Sequence, residues 1–204
     1  SNPTLDNWQQ AIDYLKDDHS ISEIILSGGD PLTLSDDKLS NLILKLSEIE
    51  HIKTVRIHSR IPIVLPDRIN QQLLDWLTDS RLQIVFVVHV NHANELDNKV
   101  ARAIQRLRNK NITIFNQSVL LKGINDSADT LSELSVHLFN IGVIPYYLHM
   151  LDPVAGTAHF KVDEVSARTI MLELHKTLPG YLVPRLVREI AGSQYKIPVE
   201  LGTE

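Results

Sequence analysis

The sequence predicts an α/β protein of parallel strands with outer helices, arranged either as a barrel or as a doubly wound sheet. Three observations predict it. Short β-branched runs alternate with helical patterns of ten residues or more, which is the mark of βαβ units. No internal repeat, low-complexity tract or linker interrupts that alternation. Polar residues also collect at the carboxyl ends of the apolar runs, where parallel α/β folds place their ligands.

In chain order, a helix is expected over residues 5–16, a strand at 23–27 and a helix over 36–49. In that helix Leu39, Leu42, Ile43, Leu46 and Ile49 keep the spacing of one apolar face, and Ser35 or Asp36 can cap it. A strand at 54–59, a helix over 67–77 and a strand at 83–90 follow. Next come a helix over 94–109, a strand at 112–120, a helix over 128–140 and a strand at 144–151. A helix over 163–178 and a sixth strand near 182–189 complete the series. The alternation opens on a helix, and a complete (β/α)8 barrel needs about 250 residues. The expectation is therefore a partial barrel, or a sequence that begins after the first strand. The leading Ser1-Asn2, read as a tag remnant, fits the second.

Bulk properties narrow the function. The 204 residues suffice for a single domain, 1–204, with a sizeable core. Hydrophobic content of 43% and charged content of 22% are ordinary for a globular protein. A net charge of −5 leaves no basic excess, so no nucleic-acid or anionic-membrane partner is expected. No apolar run reaches the roughly 18 residues of a membrane span, and no signal-peptide layout opens the chain. A cytoplasmic location is the default. The absence of cysteine excludes disulfides, thiolate-bound zinc and cysteine-held iron–sulfur clusters within this chain.

The strand ends carry Ser27-Gly28-Gly29-Asp30, His58-Ser59-Arg60, "HVNHANE" (89–95), "FNQSVL" (115–120) and "YYLHMLD" (146–152). A lone histidine at a strand end is more often a hydrogen-bonded rim residue than a catalyst. Asn116 and Gln117 inside an apolar strand are harder to dismiss, because buried amides need partners. Pro31 and Asp152-Pro153 fit simple turns or boundaries, and "REIAGSQYKIPVE" fits a frayed tail in which Lys196 is an ordinary solvated lysine. Five polar strand ends together favour a cavity for a polar ligand. Two chemistries compete for it. His58, His89, His92, His149 and Asp152 offer ligands for a divalent metal in a barrel hydrolase, although His89 and His92 point apart on an ending strand. Alternatively, backbone N–H groups at the Gly-Gly turn and nearby amides cage a polar cofactor.

Six stretches then carry a resemblance: "SGGDPL", "VRIHSRIPIVLPDRI", "HVNHANE", "NQSVLLKGIND", "PYYLHMLDPVAGTAHF" and "YKIPV". In this order, over residues 20 to 200, they resemble the lysine 2,3-aminomutase family. "LVREIAGSQYKIP" and the short tail look most like the bacterial branch that supplies β-lysine for elongation factor P. The resemblance implies a radical S-adenosylmethionine (SAM) partial barrel that uses a [4Fe-4S] cluster, SAM and pyridoxal phosphate (PLP). The implied isomerase moves the α-amino group of L-lysine to the β-carbon. By resemblance, Ser27, Gly28, Gly29 and Asp30 receive the methionine amino group of SAM, and His89 and Gln117 contact SAM, with Arg60 in the same shell. Lys196 matches the lysine that binds PLP covalently, in a segment starting near residue 180. Asp152 and Glu189 match the acids that bind the substrate's side-chain ammonium.

The sequence departs from the family pattern where the cluster is concerned. The Cys-x-x-x-Cys-x-x-Cys loop is absent, as are the arginine for the substrate carboxylate and the anchors of the PLP phosphate. A fragment without the first strand and cluster loop, inactive by itself, is expected, with an exposed edge at 23–27 that favours association. A homo-oligomer, a catabolic lysine or glutamate 2,3-aminomutase, a metal-dependent barrel hydrolase and a non-catalytic ligand-binding relative remain open at this point.

Overall fold

The computed structural model describes residues 5–152, 156–190, 192–193 and 195–202. Seven strands and seven α-helices form it: α1 (Leu5–Asp17), β1 (Glu23–Leu26), α2 (Asp36–Ser47), β2 (Thr54–Ser59), α3 (Ile61–Val64), α4 (Gln71–Thr78) and β3 (Gln83–His89) come first. They are followed by α5 (Asn98–Arg108), β4 (Thr113–Val119), α6 (Ala128–Asn140), β5 (Ile144–His149), α7 (Glu164–Thr177), β6 (Arg185–Arg188) and β7 (Ile197–Pro198). Hydrogen-bonded neighbours follow the chain order, β1 to β7. Contacts divide the chain into two compact units, one of Ser1–Val87 with Arg102–Ile114 and the other of Val88–Ala101 with Phe115–Glu204.

In the first unit β1 pairs parallel with β2, Glu23 opposite Thr54. The apolar face predicted for α2 is buried, with Leu39, Leu42, Ile43 and Leu46 all inside, and α2 packs on α4 through Leu73, Leu74 and Leu77. Asp36 locks this layer. Its carboxylate accepts from the Arg68 guanidinium at 2.9 Å and from the Trp76 indole N–H at 2.7 Å. β1 stands at the end of the strand order, and its Ile25 is 46% exposed.

In the second unit β4, β5 and β6 pair in parallel. A bulge lies opposite Asn116 and Gln117, where Pro145 is followed in the register by Tyr147. An extra residue suspends strict alternation, and the adjacent Tyr146 and Tyr147 rings come within 3.8 Å. Leu120, Leu148, Met171, Leu174, Leu186 and Val199 share one buried cluster beneath the strands. Ser127 caps α6 and Asp163 caps α7, each accepting from a first-turn N–H as small polar caps do.

The structure corrects the sequence reading in three places. The predicted helix 67–77 is a short 3-10 turn over Pro66–Arg68 followed by α4, because Asn70 caps a new start by accepting from Leu73 N–H. The predicted helix 94–109 starts at Asn98 instead, after a 3-10 turn over Ala93–Glu95. The frayed-tail reading of the C-terminus gives way to β7, which pairs antiparallel with β6. Val199 beyond it is buried, and its N–H donates to Leu186. Burying one valine stabilises by about 1.5 kcal/mol or more, which is enough to hold a two-residue strand in place. Residue 153 of the Asp152-Pro153 boundary lies outside the described residues. Among the described residues, no helix is long and apolar enough to cross a membrane.

Candidate functional site

The glycine strand end of the first unit is built around Asp30. Gly28 and Gly29 take φ of +84° and +59°, a left-handed path that only glycine follows cheaply, and the space over both is open. The chain thus turns sharply enough to aim Asp30 back at its neighbours. Its Oδ1 accepts from Leu32 N–H at 3.0 Å and from the buried Ser59 hydroxyl at 2.7 Å. Its Oδ2 accepts from the N–H groups of Arg60, at 2.6 Å, and Ile61, at 3.2 Å. Asp30 therefore ties the end of β1 to the end of β2 and starts α3. The carboxylate is fully engaged by protein donors, so what the turn offers a ligand is open backbone at Ser27, Gly28 and Gly29. A cavity of about 130 Å³ lies beside the turn, lined by Trp8, Leu34, Leu39 and Leu42 among others. That is below the roughly 300 Å³ of a pocket for a whole small-molecule ligand. The Arg60 side chain is exposed, and its backbone N–H belongs to the Asp30 brace.

The second unit gathers the other predicted groups. Asn116 and Gln117, indistinguishable in the sequence, have opposite fates because successive strand residues face opposite ways. Asn116 is buried and bridges the Val90 backbone, accepting from its N–H at 2.9 Å and donating to its carbonyl at 3.1 Å. It is a structural amide. Gln117 turns the other way and bonds His89 at 2.7 Å. Its second amide atom is buried without a partner among the described residues, whichever way the amide is oriented. The histidine pair of "HVNHANE" separates too. His92 caps the turn at Ala93, where Nδ1 accepts from Asn94 N–H and Glu95 accepts from the N–H groups of Asn91 and His92.

Register decides the last pair. β6 and β7 align Val187 with Pro198 and Arg188 with Ile197, so the next residues outward are Glu189 and Lys196. Opposite positions of an antiparallel pair lie within side-chain reach, and the Lys196 ammonium donates to Glu189. The same ammonium lies 5.9 Å from the centre of the Tyr147 ring, at the outer limit of a cation–π contact. His149 completes the group. Its Nδ1 is 3.8 Å from Glu189, its ring meets Tyr147 edge-on, and its buried Nε2 has no partner among the described residues.

Electrostatics follow from this placement. Burial first, and then the charges of Lys196 and His89, push His149 down to about 4 against the pull of Glu189. The hydrogen bond from Lys196 holds Glu189 below the ordinary carboxylate range. At neutral pH Glu189 is therefore an ionised carboxylate and His149 a neutral imidazole. Such a site can bind a carbonyl compound through the amine and a cation through the acid. Asp152 is exposed, three residues beyond β5. Among the described residues no three His, Asp or Glu side chains converge as metal ligands. Tyr147 and the Asp30 brace were missed in the sequence, and His149 was read only as a metal ligand.

The chain is 50% identical to the L-lysine 2,3-aminomutase of Escherichia coli K12 over 195 residues, 96% of this chain and 57% of that protein. Over that span the chain is similar to the L-lysine 2,3-aminomutases. The Haemophilus influenzae member is 48% identical over 93% of the chain and 56% of its own length. The Clostridium subterminale member is 37% identical over 96% of the chain and 47% of its own length. The chain thus spans about half the length of the curated relatives it matches. No protein-family model matches it. Among solved structures, native anSMEcpe with bound AdoMet superposes with a TM-score of 0.62 at 9% identity, covering 85% of this chain and 51% of that one. A radical SAM methyltransferase from Sphaerobacter thermophilus gives 0.57 at 13%, covering 90% and 55%. At such identities the likeness concerns the fold alone, an α/β arrangement of mostly parallel strands with helices.

Two predictions follow from the site. Asp30→Ala is expected to destabilise the protein by about 2 kcal/mol or more, since four donors lose a charged acceptor. Denaturant unfolding measures this, and an unchanged midpoint would show that the brace is idle. The second concerns His149, whose value falls from an ordinary 6.5 to about 4 on folding. The unfolded chain therefore takes up the proton first, so stability is full above pH 6.5 and declines as pH falls toward 4. His149→Gln is expected to flatten that part of the profile of Tm against pH, and an identical slope in both proteins would contradict it.

Proposed function

We propose that the chain is the catalytic core of a lysine 2,3-aminomutase, moving the α-amino group of L-lysine to the β-carbon. The observation that carries this reading is the opposition of Lys196 and Glu189 in the β6–β7 register, beside a neutral His149. Identity of 50% to the Escherichia coli protein supports the substrate. The stretch "LVREIAGSQYKIP", with no glycine-rich run before Lys196, supports the type that supplies β-lysine for elongation factor P.

The residues present fit the carbonyl end of PLP, while the anchors that the resemblance implies for its phosphate are absent from this chain. Lys196 is half-buried, its ammonium is held by one carboxylate, and the Tyr147 ring lies alongside. When bound, PLP supplies a carbonyl for the lysine and a conjugated system that carries the migrating amine. The chain's own groups do the rest. Lys196 binds, Tyr147 flanks, and Glu189 receives an ammonium with Asp152 as the second acid. His149 stays neutral and adds no competing cation. For SAM, the open backbone at Ser27, Gly28 and Gly29 suits the methionine end, with Arg60 in the same shell and Asp30 shaping the turn. In the second unit His89 bonds Gln117, which has one amide atom without a partner among the described residues, and the pair suits a polar ligand group, which the resemblance gives as SAM. The [4Fe-4S] cluster does not fit this chain, which has no cysteine to hold it. Asp152 and Glu189 favour a cationic side chain over glutamate, and with no converging set of three ligand side chains among the described residues, a metal-dependent hydrolase is the weaker reading.

The protein as its gene encodes it, loaded anaerobically with iron, sulfide, SAM and PLP, is expected to convert L-lysine into β-lysine. A loaded protein that leaves L-lysine unchanged would overturn the reading. The 204-residue chain given the same additions is expected to release no 5′-deoxyadenosine, and its release would refute the need for thiolates outside this sequence.

A further inference from the structure

Glu189 holds more than its partner needs. Its side chain is 52% exposed, against 29% for Lys196, so one edge of the carboxylate faces solvent while the other takes the ammonium. The cation seated there is the protein's own. Around it stand the Tyr147 ring on β5, the uncharged His149 at the end of the same strand, and His89 at the end of β3, which influences His149 electrostatically. A carboxylate flanked by an aromatic face and a neutral imidazole is a seat for a primary ammonium.

We propose that Lys196 fills, with its own ammonium, the seat on Glu189 that a ligand's ammonium takes once Lys196 is engaged by PLP. The inference rests on the aminomutase reading for the identity of that ligand, L-lysine. Condensation of the Lys196 ammonium with an aldehyde forms a C=N bond, breaks the C=O bond and releases water. Of the nitrogen's three hydrogens two leave in the water and at most one remains, so Glu189 loses its ammonium partner. The carboxylate is left unpaired beside Tyr147 and His149, and a ligand's distal ammonium satisfies it. The order of assembly is therefore fixed by charge: cofactor first, amino acid second. Without the cofactor, the internal ammonium excludes the external one at no cost in chain entropy, because β6 and β7 already hold the pair opposite one another.

The test needs no catalysis. The PLP-free chain is titrated with n-pentylammonium by ligand-observed NMR, beside Lys196→Met and the double variant Lys196→Met/Glu189→Gln, with folding of each checked by circular dichroism. Lys196→Met is expected to bind the probe about tenfold more tightly than wild type, the size of one charge-assisted pair. The double variant is expected to lose that gain. Equal binding by wild type and Lys196→Met, or a gain that survives Glu189→Gln, overturns the proposal. His149 gives an independent readout, being faced by Glu189, Lys196 and His89. Its ring resonance is expected to titrate above about 4 in Lys196→Met and to move back down when the probe is added. A midpoint that the probe leaves in place counts against the seat. Should Lys196→Met fail to fold, Lys196→Ala takes its place in both measurements. Formation of β-lysine is not read here, so failure of the aminomutase reading and failure of the seat are told apart.

Discussion

The antiparallel register of β6 and β7 is the constraint on which the candidate site depends. Two register pairs, Val187 opposite Pro198 and Arg188 opposite Ile197, determine that Glu189 faces Lys196. A slip of one residue would send Lys196 to the other face. The register is itself held from below, where Val199 enters the cluster of Leu148, Leu174 and Leu186 and donates its N–H to Leu186. Burial of one apolar side chain thus places a charge pair on the opposite side of the strand.

The two predicted ligand-binding regions are held by different physics. At the glycine turn the polar work is local and already satisfied: Asp30 faces four donors, and two left-handed glycines bring it to them. Around His149 the polar groups are under-satisfied. One amide atom of Gln117 and one imidazole nitrogen are buried without partners among the described residues. Such groups cost free energy unless something meets them. A rigid turn with spare backbone and an unfinished side-chain cluster are both what a ligand-binding protein keeps in reserve.

Much of this was legible in the sequence. The apolar face of α2 and the parallel strands followed from periodicity, and the strand ends supplied the candidate residues because parallel folds collect ligands there. The rest depended on tertiary placement. Nothing in "FNQSVL" says that Asn116 braces a backbone while Gln117 faces His89, since only strand phase against the core separates them. A strand of two residues has no period to read, so β7 was invisible and Lys196 resembled a tail lysine. The brace at Asp30 was hidden for the same reason, since its donors on Ser59, Arg60 and Ile61 lie some thirty positions away.

The central claim is that Lys196 is the functional amine of this fold, and covalent trapping tests it most directly. The protein as its gene encodes it is incubated with PLP, reduced with borohydride and digested, and the modified lysine is located by mass spectrometry. The account predicts the label on Lys196, at a yield well above that of any other lysine. A label spread over surface lysines, or concentrated on a lysine away from Glu189, would contradict it.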